Sequence, residues 1–348
     1  MFYQLNTGQK TKRTMSIIFT SLHQIDHSTN KIKKIEISHS DDLNQYTNRL
    51  IHEITTSNNK RQFEFKSNTT EVRTASTKFL EKKFNEASEI NSKRLLAVEQ
   101  NAQTKIDRLN KVIQTGSLFQ AVLTDGNETT IIISKADHNQ FLDEVDFTLK
   151  NGLPWEKRIF KAFLVKFNNS DPINIYVYDT TDRMARYWWD SYLELEEKFT
   201  DTYNTKKSLD LLDKKVFNKI KKDYPADHTI LRNSTIGYFR SKEEFELEEY
   251  LNDTFKKYKP IDSNFPKDKT ISKIKELPKE WNFDSRFGIK KEEIKKRQVN
   301  KIPLTEKIEL VLKDHIDDLS NIITSEKDRE GNKYIKIKSD SGYERFRK

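Results

Sequence analysis

LFQAVLTDGNETTIIIS, residues 118–134, and IFKAFLVKFNNSDPINIYVY, residues 159–178, together decide the fold of this chain. In the first stretch, two apolar runs (118–123 and 129–134) flank Asp125-Gly126-Asn127-Glu128. A polar quartet containing Gly, set between apolar runs, has the chemistry of a hairpin turn, because Gly reaches positive φ without strain. The runs are apolar almost throughout rather than alternating, so both faces of these strands are expected to be covered. The second stretch repeats the pattern: 159–167 and 173–178 are joined by Asn168-Asn169-Ser170-Asp171-Pro172. Links this short permit only antiparallel pairing, and the four strands are expected to form a meander.

Outward from the meander, 16–25 and 32–37 are β-branched runs around the turn His27-Ser28-Thr29-Asn30, which predicts another hairpin. Asp41-Asp42 offer N-cap chemistry to a helix over 43–54, where Leu43, Tyr46, Leu50 and Ile54 keep helical spacing. Phe63 and Phe65 alternate with polar neighbours as a short strand would. From 71 to 114 there is neither Gly nor Pro, and Leu80, Phe84, Ala87, Leu95, Val98, Ala102, Ile106, Leu109 and Ile113 follow one stripe, with polar Asn91 between Ala87 and Leu95. This reads as a long amphipathic helix, about 65 Å if continuous at ~1.5 Å per residue, or as two abutting helices. Broken, it would pack on the sheet; continuous, it would project as an arm and pair with a second chain in a homodimer. Helical spacing returns over 185–199, 209–220 and 245–258, and 260–269 reads as a crossing linker with two prolines. Strands are expected at 308–312 and 334–337, with a short helical stretch at 316–323. The predicted class is α+β: a central antiparallel meander packed by helices over 14–200, then a mainly helical region over 201–348 ending in short strands.

With 63 Lys+Arg against 54 Asp+Glu, the 348-residue chain carries +9. Charged residues make up 34% of the total, so the surplus is diluted, and a surface of mixed sign competes with a local basic patch facing phosphates. The richness in Lys, Asn and Ile matches an AT-rich genome, which raises the Lys count without a functional cause. An aromatic share of 11% argues for a folded core. The absence of cysteine excludes disulfides, thiolate nucleophiles and Cys-based metal sites. No apolar run approaches the roughly 20 residues that span a bilayer, and residues 1–13 lack a signal-peptide core, which predicts a cytoplasmic protein without membrane contact.

No complete catalytic centre is visible, and no cofactor is expected. The eight glycines form no phosphate-binding loop. His23 and His27 bracket Gln-Ile-Asp at a strand end and lack the Glu of a zinc-protease helix. Glu64-Phe65-Lys66, with Asp41 and Asp42 upstream, matches half of a metal-dependent nuclease signature, a pattern that chance also produces in a chain this rich in acids and lysines. Basic clusters are the stronger candidates. Lys290, Lys291, Lys295, Lys296, Arg297 and Lys301 fall in a stretch whose only acids are Glu292 and Glu293, flanked by Trp281, Phe283 and Phe287. Phosphate contacts beside stacking rings suit nucleic acid, and a solvated face with aromatic core anchors is the competing reading. Lys157, Arg158, Lys161 and Lys166 beside Trp155 form a second group, and Arg183, Arg186, Tyr187 and Trp188 a third.

SLFQAVLTDGNETTIIISKADH (117–138), FLDEVDFTLKNGLPWEKRIFKAFLVKF (141–167), INIYVYD (173–179) and YWWDSYLELEE (187–197) resemble the 37-kDa nucleoid-associated protein family. The corresponding positions are 132–135 at a hairpin end, Leu153-Pro154 and Lys161-Ala162-Phe163 at a strand entry, and 187–193 in the following helix. LHQIDHSTNKI (22–32) is similar to the family's N-terminal strand. The likeness is fullest over 117–200 and thin beyond. It implies a bacterial, nucleoid-localised protein associated with double-stranded DNA, and it brings no catalytic residues. The 71–114 segment and the Lys-rich C-terminal third depart from the family and leave open an adaptor for another DNA enzyme or a component of defence against foreign DNA. The sequence reading is therefore a non-catalytic DNA-binding protein using the 290–301 cluster with Arg183 and Arg186. Its alternatives are a protein-interaction module built on 71–114 and a metal-dependent nuclease.

Overall fold

The computed structural model describes residues 15–347 apart from 38–39, 58–59, 110–111, 138, 143–148, 153–160, 181–183 and 296. The chain divides into two compact units, Met1–Lys198 and Phe199–Lys348.

The first unit contains strands β1 (Ser16–Asp26), β2 (Lys31–Ile35), β3 (Lys60–Phe65), β4 (Gly116–Thr124) and β5 (Glu128–Asp137). After a separate small hairpin, β6 (Asn139–Leu142) and β7 (Leu149–Gly152), come β8 (Lys161–Asn168), β9 (Asp171–Asp179) and β10 (Leu195–Glu197). Eight of these form one antiparallel sheet in the order β10-β3-β9-β8-β5-β4-β1-β2. The expected meander is its centre, β4-β5-β8-β9, and Gly126 supplies the positive φ of the first turn. The central strands lack alternation because helices cover both faces. Helix α1 (Asp41–Thr56) lays Tyr46, Leu50 and Ile54 over Phe119, Ile132, Leu164 and Tyr178. Its N-cap is Ser40, whose hydroxyl accepts from the Leu43 N–H, while Asp41 and Asp42 occupy the first turn. The opposite face, with Leu118, Val122, Ile131, Ile133, Phe163 and Val165, is covered by α2 (Glu71–Leu80), α3 (Phe84–Ile106) and a π-helical turn, Tyr187–Tyr192.

The stripe over 71–114 thus becomes two helices rather than one of that length. Lys82 breaks it with φ of 61°, and the Lys83 N–H bonds back to the Lys78 carbonyl. Val72, Phe79, Ala87 and Leu95 all join the same buried cluster, so the apolar stripe is spent on the chain's own sheet. Asn91 sits in the stripe for a reason: its amide donates to Gln120 Oε1 (2.8 Å) in the middle of β4, and Gln120 donates to the Ser88 carbonyl. The helix expected over 185–199 is also corrected. It ends after the π-helical turn, Glu194 reverses the chain at φ of 52°, and 195–197 pair with the otherwise open edge of β3.

In the second unit, α4 (Asp201–Leu211) runs through a π-helical stretch into α5 (Asn218–Ile220). There follow α6 (Pro225–Ser241), β11 (Glu244–Glu246), α7 (Leu247–Leu251), α8 (Lys267–Trp281), β12 (Arg286–Gly288) and α9 (Lys291–Lys295). The region ends with hairpin β13 (Asn300–Thr305) and β14 (Ile308–Leu312), then α10 (Leu319–Ile322), β15 (Ile323–Lys327), β16 (Lys333–Ile337) and α11 (Asp340–Phe346). The helix expected from Phe245 begins at Leu247, because Phe245 pairs with Phe287 across β11 and β12 and their rings stack at 4.8 Å. The crossing segment after Tyr258 is held by fully buried Asp227, which accepts from the Tyr258 hydroxyl and the Ile261 and Asp262 N–H groups. Helix α8 buries Thr270, Ile274 and Leu277 on one face and carries Pro278 near its end.

Candidate nucleic-acid interface

Among the described residues of the 290–301 cluster, most of the cations face carboxylates or carbonyls. Lys290 Nζ lies 4.0 Å from Asp201. Lys291 Nζ donates to the carbonyls of Phe239, Arg240 and Lys242 and so caps the end of α6. Arg297 is bound to Asp210 and faces Asp213 at 3.7 Å, and its own carbonyl accepts from Arg232. Lys301 lies 3.9 Å from Glu309 on the neighbouring strand. Lys295 is exposed and makes no ion pair among the described residues, and Lys296 lies outside them. Phe283 and Phe287 belong to the buried core, which leaves only Trp281 as an accessible ring. The acids that face Lys290 and Arg297, namely Asp201, Asp210 and Asp213, come from about 80–90 residues upstream, where no local count of charge reaches them.

The other clusters separate similarly. Arg186 is exposed, 3.3 Å from Asp190 and above the Trp189 ring. Arg183, Lys157, Arg158 and Trp155 lie outside the described residues, and Trp188 is fully buried. Lys161 is buried in a charged cluster inside the first unit. It stands opposite Lys135 in the β5–β8 register, with each Nζ about 6 Å from the centre of the Tyr187 ring. Lys135 pairs with Glu99 at 2.5 Å and donates to the Gln114 carbonyl; Lys161 pairs with Asp179 at 2.8 Å. His27 faces Glu99 at 3.8 Å, and His23 is buried, which lowers its pKa, with Lys34 adding to the effect. Two cations and two carboxylates balance there, as burial requires. The nuclease fragment is not assembled: Glu64 faces Lys198 at 3.9 Å and Lys66 pairs with Asp190. No group of three or more His, Asp or Glu suited to a metal occurs among the described residues.

A basic concavity does occur, at residues the sequence reading passed over. A cavity of about 600 Å³ opens where the end of the first helical run of the second unit meets α8. Its cations are Lys215, Lys219, Lys269 and Lys273, against two acids, Asp223 and Glu276; its walls include Val216, Ile220, Tyr224 and Pro266. Lys215 and Lys219 are four residues apart, as are Lys269 and Lys273, so each pair shares a helix face. Lys215 Nζ also sits 4.3 Å from the centre of the half-exposed Trp281 ring, with Lys207 at 5.9 Å. Lys273 pairs with Glu280, while Lys219 and Lys269 make no ion pair among the described residues. The paired spacing was a signal open to sequence reading; the convergence of two helices some 50 residues apart was not. No family model and no curated protein matches this chain. No helix among the described residues is long and apolar enough to cross a membrane.

Proposed function

We propose that this protein is a non-catalytic, DNA-associated protein that holds the phosphate backbone in the lysine-lined cleft of its second unit. The observation that carries the reading is the convergence of Lys215, Lys219, Lys269 and Lys273 on one concavity beside Trp281. Clustered cations in a low-dielectric cleft focus the field on an approaching polyanion. Neutralising phosphates there releases counterions, which makes binding salt-dependent and largely blind to sequence. The resemblance to the nucleoid-associated family, noted over 117–200, favours association with DNA, with a nucleoid location and duplex DNA as its expectation, and does not reach the cleft of the second unit. Among the described cations of the 290–301 run, Lys295 makes no ion pair, Lys290 and Lys301 lie at the surface 4.0 and 3.9 Å from a carboxylate, and Lys291 and Arg297 are held by partners within the fold.

The test is a salt-titrated DNA-binding assay with Mg²⁺ and chelator arms. Three phosphate contacts, from Lys215, Lys219 and Lys269 because Lys273 pairs with Glu280, predict a slope of about −2 to −2.7 in log K against log salt, or about 20- to 40-fold weakening from about 50 to about 200 mM. Lys219→Glu with Lys269→Glu should abolish most of the affinity. A flat salt response, or an unaffected double variant, would sink the reading; cleavage of the DNA in the Mg²⁺ arm would replace it with a nuclease.

A further inference from the structure

Shape and lining narrow which form of DNA this cleft accepts. About 600 Å³ lies in the range of pockets that enclose small molecules of roughly nucleotide size. A duplex can touch the rim lysines, but its bases are paired inside the rod and leave the interior unfilled. The interior is not built for phosphate alone. Tyr224 and Pro266, with the small part of Val216 and Ile220 that the core leaves accessible, provide apolar wall that adds nothing to a phosphate contact and can cover the face of an unstacked base. Asp223 and Glu276 would repel phosphate, and neither makes an ion pair among the described residues. Carboxylates beside lysines do match an unpaired base edge: the acid accepts from an amino group, and the ammonium donates to a ring nitrogen or carbonyl oxygen. The amino group also faces the major groove of a duplex, but only a single strand exposes the ring nitrogen beside it on the pairing edge.

Resting on the reading above, we infer that the cleft takes one unpaired base of single-stranded DNA, preferring bases with an exocyclic amino group, with flanking phosphates on the rim lysines. Cytosine fits the arrangement, offering an amino donor beside two acceptors; thymine lacks the amino group.

The experiment is fluorescence anisotropy of the full chain with labelled oligonucleotides of about 15 residues, within the span of single-strand sites. The arms are dC, dT, a mixed-sequence duplex and an rC strand, at one low salt concentration. The expected result is at least about tenfold tighter binding of dC than of duplex, the effect of roughly one stacked base. Binding of dC should exceed that of dT, and Glu276→Gln should reduce that preference, tightening dT more than dC because it removes a charge that repels the flanking phosphates and weakens the contact to the amino group. Lys219→Glu should weaken every arm. Duplex binding as tight as dC, itself weakened by Lys219→Glu, overturns this inference and leaves the backbone reading standing. A dC-over-dT preference that survives Glu276→Gln overturns the edge contact. Tighter binding of rC than of dC assigns the cleft to RNA and overturns the DNA form. No binding in any arm removes both readings.

Discussion

Replacing Lys161 by Met should destabilise the first unit severely, and the reason can be worked from one ion pair. Lys161 Nζ lies 2.8 Å from Asp179 Oδ2, with side chains 1% and 0% exposed. At an effective dielectric of about 20, the attraction at that separation is about 6 kcal/mol before desolvation is subtracted. Asp179 Oδ2 also accepts from the Ala185 N–H at 2.9 Å, which orients the chain entering the π-helical turn. Met preserves the length of the stem but leaves a buried carboxylate without its cation, at a cost of about 3–5 kcal/mol. That is a large share of a typical total stability of about 5–15 kcal/mol. In a unit of this size it corresponds to a fall in Tm of about 6–20 °C. Lys161→Met combined with Asp179→Asn removes both charges and keeps an acceptor for Ala185, so the double variant should recover about half of the loss. Urea unfolding followed by tryptophan fluorescence, with unchanged m-values, would measure both. A single variant costing under about 1 kcal/mol, or a double variant no more stable than the single, would refute the claim that the pair is bound by charge in a dry interior.

Three further outcomes follow. Asn91→Ala strands the Gln120 carbonyl oxygen beneath α3 and should cost about 1–3 kcal/mol in the same unfolding assay, whereas Asn85→Ala on the exposed side should cost far less. His228 is buried beside Lys221 and Arg232, and burial, the larger cause, lowers its pKa from 6.5 to about 4. Above pH 6.5 both folded and unfolded forms are neutral; as pH falls from 6.5 to about 4 only the unfolded form gains the proton. On the order of 2 kcal/mol should therefore be lost over that window after allowance for solvent screening, and His228→Phe should flatten this part of the stability–pH curve. Lys82→Gly should stabilise the break between α2 and α3 by about 0.5–1 kcal/mol, because its φ of 61° strains a residue with a Cβ; a lower midpoint would contradict that.

Much of the architecture is legible in the sequence. Asp125-Gly126-Asn127-Glu128 and the 168–172 link specify hairpins by local backbone chemistry, and both form. The misreadings share one cause. At 185–199 the spacing of Trp188 and Tyr192 is helical, yet the open edge of β3 draws 195–197 into a strand. At Phe245, stacking on Phe287 likewise overrides local helical preference. The candidate interface was less legible. The 290–301 run is cationic as a string, but Asp201, Asp210 and Asp213 return to it in space. The lysines of the cleft are dense in sequence, with five between Lys214 and Lys222 and no acid among them, but their meeting with Lys269 and Lys273 is set by helix packing.

What the sequence by itself determined is the class of the fold, the central meander, the amphipathic faces and the exclusion of cysteine chemistry, since turn chemistry and periodicity act over a few residues. What only the tertiary structure decided is which charges remain available. Lys135 and Lys161 are neutralised by Glu99 and Asp179 in the interior, Arg297 by acids of the preceding helical run, while Lys219 and Lys269 face a common concavity. Coulombic partnership depends on distance in space and on burial, and neither can be counted along the chain.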